Sequence, residues 1–570
     1  MREKMTAERI PLDRLGWVRQ TIAAFAASDV GKHAVRLSVS LVVLMLGISA
    51  MNVANSYVGR DFMTSIEQRD RSQFVLTALV YVGVFTISTV LAVLFRFCEE
   101  RLGLLWRQWL TRALVLDYLG IATPYRLREA GEIDNPDQRI ADDVRTFTTT
   151  TLSFVLMVLN GSITILAFSG VLWSITPVLF AATVAYAAVG SLATVWLGRP
   201  LIGLSFTQSD REASFRADLV HVRANAESVA LLRREGRLRT RLLRRVDALT
   251  ANARRMIGVN RNVSFFTTGY NYLIQIIPAL IVGPLFMRGE REFGVITQSA
   301  MAFSHLIGAF SLIVTQFQSI SSYAAVLTRL RSLSEGMHRA ASGAPIEIVE
   351  EQDGPVACEQ LTLRSPGDGR VLISNLEVAI PCGTRVLVAG ENHAAKVALF
   401  RAVAGVWSAG GGRIRLPAAD HILFVAERPY LPPGTLREAL LRTGREIDHS
   451  DERVLEVLSS LGLDAVVERV GGLDVERDWD DLLALGEQQR VVIARMVLAE
   501  PRFGVLHRID TTLSPEQVTR TLRLLAAASI TPIVFGDRDG VGGYYDAVLE
   551  LHADGSWRFD SVERGESAAE

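Results

Sequence analysis

Apolar stretches long enough to cross a hydrocarbon core of ~30 Å crowd the first 320 positions of this chain, and no other feature restricts its fold as much. Six stretches are expected to span a membrane, at 35–57, 74–97, 151–173, 176–197, 264–287 and 296–319. Hydrophobic residues make up 49% of the chain, and the mean hydropathy is +0.25. Arginine placement orients the spans. The N-terminal segment and the long connections 98–150 and 198–263 are arginine-rich, and the last contains LLRREGRLRTRLLRR. The connections 58–73 and 288–295 are short and mixed in sign. Positive charge on the cytoplasmic side places both termini and both long connections in the cytoplasm of a plasma (inner) membrane protein. The arginines by themselves serve topology. The long connections have few helix breakers, so the membrane helices are expected to continue well into the cytosol.

The pattern changes after position 319. A helical stretch runs to about His338, and RAASGAPIEIVEEQDGP then reads as a linker. Short strand-like runs follow, among them RVLVAG, HILFVAE, RFGVLH and TPIVFG, alternating with helical sequence. That alternation predicts a parallel sheet flanked by helices. The expected division is a cytoplasmic segment 1–33, a six-helix membrane domain 34–338, a linker 339–355, an α/β domain 356–560 and a tail 561–570. The net charge of −1 gives no reason to expect nucleic acid as a partner. Cys98, Cys358 and Cys382 are scattered, which implies neither a disulfide framework nor a metal site. No cleavable leader is expected, because the first 30 residues carry charges throughout.

In the α/β part the run RVLVAGENHAAKVALF has the outline of a phosphate-binding loop. A strand ends at Gly390, and after Glu391, Asn392, His393, Ala394 and Ala395 comes Lys396, followed by Val397 and a helical pattern. Such a loop points backbone N–H groups at an anion, with the lysine on the outer phosphates and a Ser or Thr on magnesium. Only three lysines occur in the chain, Lys4, Lys32 and Lys396, so one at this place stands out. Taken alone, a lysine opening an amphipathic helix is more often a solvated residue.

A second run, LLALGEQQRVVIARMVLAEPRFGVL at 482–506, resembles the signature motif and following Walker B strand of ABC transporters. FVAERPYLPPGTLREAL resembles their Q-loop segment, and YDAVLELHADGSW their closing strands. In the membrane half, WRQWLTRALVLDYL, NPDQRIADDVRTF and FRADLVHVRANAESVALLRREG are similar to the subfamily of peroxisomal fatty-acyl half-transporters and bacterial vitamin B12 and antimicrobial-peptide uptake proteins. The resemblance covers nearly the whole chain. It implies an all-α, exporter-type membrane domain of six helices fused to a P-loop ATPase-like domain, acting as a dimer with ATP and magnesium as cofactors. It also assigns positions. Leu483, Ala484, Leu485, Gly486, Glu487 and Gln488 fall on the signature, and Glu427 on the Q-loop glutamine. Asn135, Pro136 and Asp137 fall on the turn that contacts the cassette and couples its motion.

The chain departs from the family pattern at the groups that handle ATP. Ala395 stands for a loop glycine, where a Cβ is disfavoured if φ must be positive. Val397 stands for the magnesium hydroxyl. His507 takes the place of the Walker B aspartate, Arg508 that of the catalytic glutamate and Asp537 that of the switch histidine. No catalytic position is intact, and Asp510 lies past the strand end and out of register. No aromatic residue occurs between Leu361 and Gly390 to stack on adenine, and Ala484 replaces the signature serine. Lys396, Arg508 and His507 remain as cations that a nucleotide would meet. Glu427 keeps an oxygen suited to magnesium.

Two functions compete. In one, the chain is a half of a heterodimer, supplying a signature to an intact partner that hydrolyses ATP, with any nucleotide on this side weakly held or shared. In the other, it is a non-hydrolysing homodimeric transporter or receptor-like protein driven by a proton gradient. Glu99 and Glu100 at a membrane edge, and Asn160 and His305 within spans, are candidate polar contacts. Neither the substrate nor its direction of transport follows from these residues.

Overall fold

The computed structural model describes residues 14–120, 123–131, 133, 135–311, 316–341, 346–441, 449–537 and 544–562. They divide into two compact units, the first built from residues up to 118 and 133–336, the second from 119–132 and everything after 336.

The first unit is all helical. A short helix α1 (Arg14–Ala27) precedes α2 (Gly31–Glu67) and α3 (Arg71–Tyr118). A three-residue turn of helix α5 (Pro136–Gln138) continues through a π-helical turn (Arg139–Asp143) into α6 (Val144–Ile175). Then follow α7 (Pro177–Ala224), α8 (Ala226–Leu232), α9 (Glu235–Met287), α10 (Gly294–Phe310) and α11 (Phe317–Ala341). Pro177 separates α6 from α7: it disfavours helix at Thr176 and fits the first position of the next helix. Five helices among the described residues are long and apolar enough to cross a membrane, and they cover the first five expected spans apart from Thr176, which is extended between two of them. The expected sixth, 296–319, begins on α10, which has 17 residues, and part of it lies outside the described residues. Helices α3, α7 and α9 have 48, 48 and 53 residues. At 1.5 Å per residue they are more than twice as long as a ~30 Å core requires, as expected of helices that continue past the membrane.

The core of this unit joins Phe168, Leu172, Leu179, Phe303 and Leu306 from α6, α7 and α10. His305 stacks on Phe168 with centroids 4.5 Å apart, while Asn160 faces outward. Glu100 is exposed and bonded to Arg96. Helices α7 and α9 are clasped by Tyr186 and Tyr270, each hydroxyl donating to the other residue's carbonyl (2.6 and 3.0 Å). The π-helical turn is clamped to α11. Asp143, with 5% of its side chain exposed, accepts two bonds from Arg329 (2.7 and 2.6 Å). Arg139 donates to the Arg329 carbonyl and to the Ser332 hydroxyl (3.0 and 2.7 Å).

The second unit holds two sheets. One, of β1 (Ile346–Glu351), β2 (Val356–Arg364), β3 (Val371–Ile380) and β5 (Gly410–Pro417), has the order β1-β5-β2-β3. The other contains β4 (Val386–Ala389), β6 (Ile422–Val425), β7 (Phe503–His507), β8 (Thr531–Phe535), β9 (Ala547–Leu551) and β10 (Trp557–Ser561), in the order β10-β9-β4-β8-β7-β6. All neighbours in the second sheet are parallel except β10 with β9. Strands β4, β7 and β8 are buried at every residue, as continuous apolar runs covered on both faces should be. Because β8 lies between β4 and β7, their carboxyl ends bring together the residues after Ala389, His507 and Phe535. Parallel α/β sheets place their ligand sites at such ends.

The second unit also includes α4 (Thr123–Ala130), from the first long connection. Its Arg126 donates to the Gly405 carbonyl (3.4 Å), and the Arg401 guanidinium lies 5.7 Å from the centre of the Tyr125 ring. Asn135, Pro136 and Asp137, expected at the contact with the cassette, belong to the first unit. There Asn135 takes a left-handed conformation (φ 48°) and Pro136 opens α5. The stretch grouped with the cassette is the one just upstream.

Candidate functional site

Gly390 follows β4 with φ +121°, and a Cβ there would lie 2.1 Å from the Leu551 carbonyl oxygen, so only glycine fits. The helix after it, His393–Val403, is capped by Asn392, whose Oδ1 accepts from the Ala395 N–H (3.0 Å). Asn392 Nδ2 donates to the His552 carbonyl (3.1 Å). The cap thus occupies one of the N–H groups that a phosphate loop offers its anion. Ala395 lies inside the helix, fully buried and outside the positive-φ region. The expected strain from its Cβ is therefore absent, because this turn of the loop already has helical φ. Glu391, His393 and Ala394 are exposed, and Val397 is half-buried.

Lys396 is 2% exposed. Its ammonium donates to Asp537 Oδ1 (2.7 Å) and to the Gly536 carbonyl (3.3 Å). The Lys396 bond holds the Asp537 carboxyl below its ordinary range. At the end of β7, His507 is 6% exposed and stacks on Phe400 of the loop helix, with centroids 4.8 Å apart. Its Nε2 has no partner among the described residues. Burial pushes the His507 pKa down, so the ring is neutral at neutral pH.

Arg508 adopts a left-handed conformation (φ 50°) and donates its N–H to the Phe535 carbonyl (2.7 Å). Its guanidinium lies 3.6 Å from Glu427 Oε1. The same reversal brings Asp510 back across the strand ends, and Asp510 Oδ2 accepts from the Asp537 N–H (3.3 Å). Asp510 is thus inside the site, although its position in sequence sets it beyond the strand.

The signature residues open a second helix, Leu485–Ala499. Ala484 is its N-cap and has no side-chain acceptor, but Glu487 Oε2 accepts from the Ala484 N–H (2.9 Å) and from Arg469 (2.7 Å). Leu483 is buried, and its carbonyl accepts from Gln488 (3.1 Å). A Cβ at Gly486 would sit 3.1 Å from the Thr512 carbonyl oxygen, so glycine allows that close approach. Gln489, next to the expected signature positions, is fully buried. It donates to the Glu427 carbonyl (2.8 Å) and accepts from the Thr512 hydroxyl, joining the signature helix, the Q-loop and the turn after β7. The only hint in the sequence is an amide pair, Gln488-Gln489, at the start of an otherwise apolar helix.

Residues 23–287 match the family model of ABC transporter transmembrane region 2, and residues 373–506 that of the ABC transporter domain. An uncharacterized ABC transporter ATP-binding protein of Synechocystis is 33% identical over 534 residues, covering 92% of this chain and 81% of that protein. The chain is an ABC transporter half-molecule. The half-transporter is also 32% identical over 612 residues to ABC transporter D family member 2, chloroplastic, of Arabidopsis thaliana, covering 94% of this chain and 87% of that protein. It is 24% identical over 525 residues to the human lysosomal cobalamin transporter ABCD4, covering 86% and 87%. It is thus a multi-pass, membrane-embedded protein whose relatives are of the D type.

The cassette family in general takes ATP with magnesium. In this half-transporter Val397 has no oxygen to offer a metal, His507 offers a ring nitrogen, and Glu427 faces Arg508. Among the described residues no cluster of three or more His, Cys, Asp or Glu is placed to hold a metal ion. These residues do not fit a magnesium ion, which favours oxygen ligands in octahedral array.

Proposed function

We propose that this half-transporter moves its substrate as the non-hydrolysing half of a heterodimer, with ATP hydrolysed at the Walker motifs of an intact partner. One observation carries the reading: the two sides of the cassette differ. The helix that opens at Ala484 keeps its glycine approach at Gly486, its Glu487 cap and its Gln489 tie. The Walker side has Val397, His507 and Arg508 where magnesium and an attacking water need oxygen ligands and a base. An arginine does not accept a proton at any relevant pH. Removing one such group costs on the order of 10²–10⁴ in rate, so the loss of several leaves no useful hydrolysis. In a head-to-tail dimer, the partner's Walker motifs would face this chain's Leu485–Ala499 helix, whose N-terminal N–H groups and dipole favour phosphate without the missing serine.

In this reading six spans lie within 34–338 of a plasma (inner) membrane, the cassette is cytoplasmic and starts with β1 (Ile346–Glu351), inside the stretch 339–355 expected to be a linker, and the arginine-rich connections lie on the same side. Coupling between cassette and membrane runs through α4. Tyr125 and Arg126 touch Arg401 and Gly405, at the end of the helix that begins at the phosphate loop. The test is co-purification under native expression. An intact ABC half recovered in equal amount supports the proposal. A chain that isolates only with itself, and transports on a proton gradient, refutes it.

A further inference from the structure

Lys396 and Arg508, two cations at the Walker side of the cassette, each have a carboxylate partner within the chain. Lys396, almost wholly buried, is bonded to Asp537 and to the Gly536 carbonyl at 2.7 and 3.3 Å. Arg508 faces Glu427 at 3.6 Å. Asp510 adds a third carboxylate, on the Asp537 N–H. The buried His507 ring contributes no positive charge. Asn392 Oδ1 takes the Ala395 N–H that would face an anion. Among the described residues, Lys396 and Arg508 thus meet three carboxylates, those of Asp537, Glu427 and Asp510. A phosphate oxygen arriving at Lys396 has to displace the Asp537 carboxylate, which already accepts a charge-assisted bond from the ammonium.

We propose that Asp537 is a built-in substitute for phosphate: it closes the Lys396 site to polyphosphate anions, and removing its charge opens a site that takes them without a divalent metal. Asp537 has 57% of its side chain exposed while Lys396 has 2%, so the carboxylate is the movable member and the ammonium the fixed one. The entering ligand would be a nucleoside polyphosphate or a free polyphosphate, since Lys396 recognises the phosphate oxygens and the chain lacks an aromatic platform between Leu361 and Gly390. The inference rests on the reading that this chain does not hydrolyse ATP at its own Walker motifs.

The experiment measures binding of a fluorescent ATP analogue to the purified full-length protein in EDTA, with sodium tripolyphosphate as competitor. Asp537→Asn is expected to bind about ten- to a hundredfold more tightly than wild type, the worth of a charge-assisted bond no longer in competition. The gain should be lost in Asp537→Asn/Lys396→Ala, and tripolyphosphate should compete. Asp537→Glu, which keeps the charge, should bind no better than wild type, and it decides the matter should the asparagine variant fail to fold: a gain in Asp537→Glu overturns the proposal. So does wild type binding as tightly as Asp537→Asn, or a gain that survives loss of Lys396. Binding in EDTA tests the closure by Asp537, whereas magnesium-dependent hydrolysis by the isolated chain tests the non-hydrolysing reading, so either can fail without the other.

Discussion

The clamp between the π-helical turn and α11 makes a quantitative prediction. Asp143 is nearly buried, accepts two bonds from Arg329, and sits four residues before Phe147. Asp143→Asn keeps the volume and removes the charge, so one of the two ion-pair bonds is lost and the other becomes a bond from a charged donor to a neutral amide oxygen. A charge-assisted bond contributes about 1.5–3 kcal/mol. The Arg329 side chain is 44% exposed, so solvent screening moves the expected loss to the lower part of that range, about 2 kcal/mol. Arg329→Gln should cost a similar amount. The double variant should cost little more than either alone, giving a coupling of about 1–2 kcal/mol. Unfolding of the detergent-solubilised protein can be followed by tryptophan fluorescence, because Trp17 and Trp106 pack on Phe147 at 5.2 and 5.3 Å. Additive single losses, within about 0.5 kcal/mol, would refute the claim that the two side chains act as one clamp.

Two further predictions concern the cassette. Gln489→Leu leaves the Glu427 carbonyl and the Thr512 hydroxyl without their shared partner and should lower thermal stability by about 1–3 kcal/mol, whereas Gln488→Leu, which affects only the Leu483 carbonyl, should cost less. His507 has a folded pKa below its ordinary value because it is buried, so the unfolded chain binds a proton first as the pH falls. Its contribution to stability is therefore full above the unfolded pKa of about 6.5 and declines as the pH drops from there toward the folded value. A melting series from pH 7.5 to 5.5 should show that decline in wild type and a shallower one in His507→Phe.

Much of this architecture was legible in the residues. Uninterrupted apolar runs leave few alternatives to membrane helices, and alternating strand and helix patterns with GEQQR settle the cassette. What the residues leave open is how the backbone turns between elements and which distant side chains pack together. Ala395 looked strained because a glycine is usual there, yet the Asn392 cap starts the helix early enough to make its φ ordinary. Asp510 lies past the end of β7, as its position in sequence implies, and the left-handed turn at Arg508 brings it to the Asp537 N–H. Asn135, Pro136 and Asp137 carry the strongest turn signal in their connection, and just upstream α4, whose Tyr125 and Arg126 lack any such mark, is grouped with the cassette. The stacking of His507 on Phe400, more than a hundred positions away in sequence, is encoded by no local pattern.

The most direct measurement is magnesium-dependent ATP hydrolysis by the purified chain in liposomes, alone and assembled with its partner half. The heterodimer reading predicts no activity above background for the chain alone. It predicts activity in the assembly that is unaffected by Lys396→Ala or Arg508→Ala here and abolished by loss of the partner's Walker lysine. Hydrolysis by the isolated chain that disappears with Lys396→Ala would contradict it.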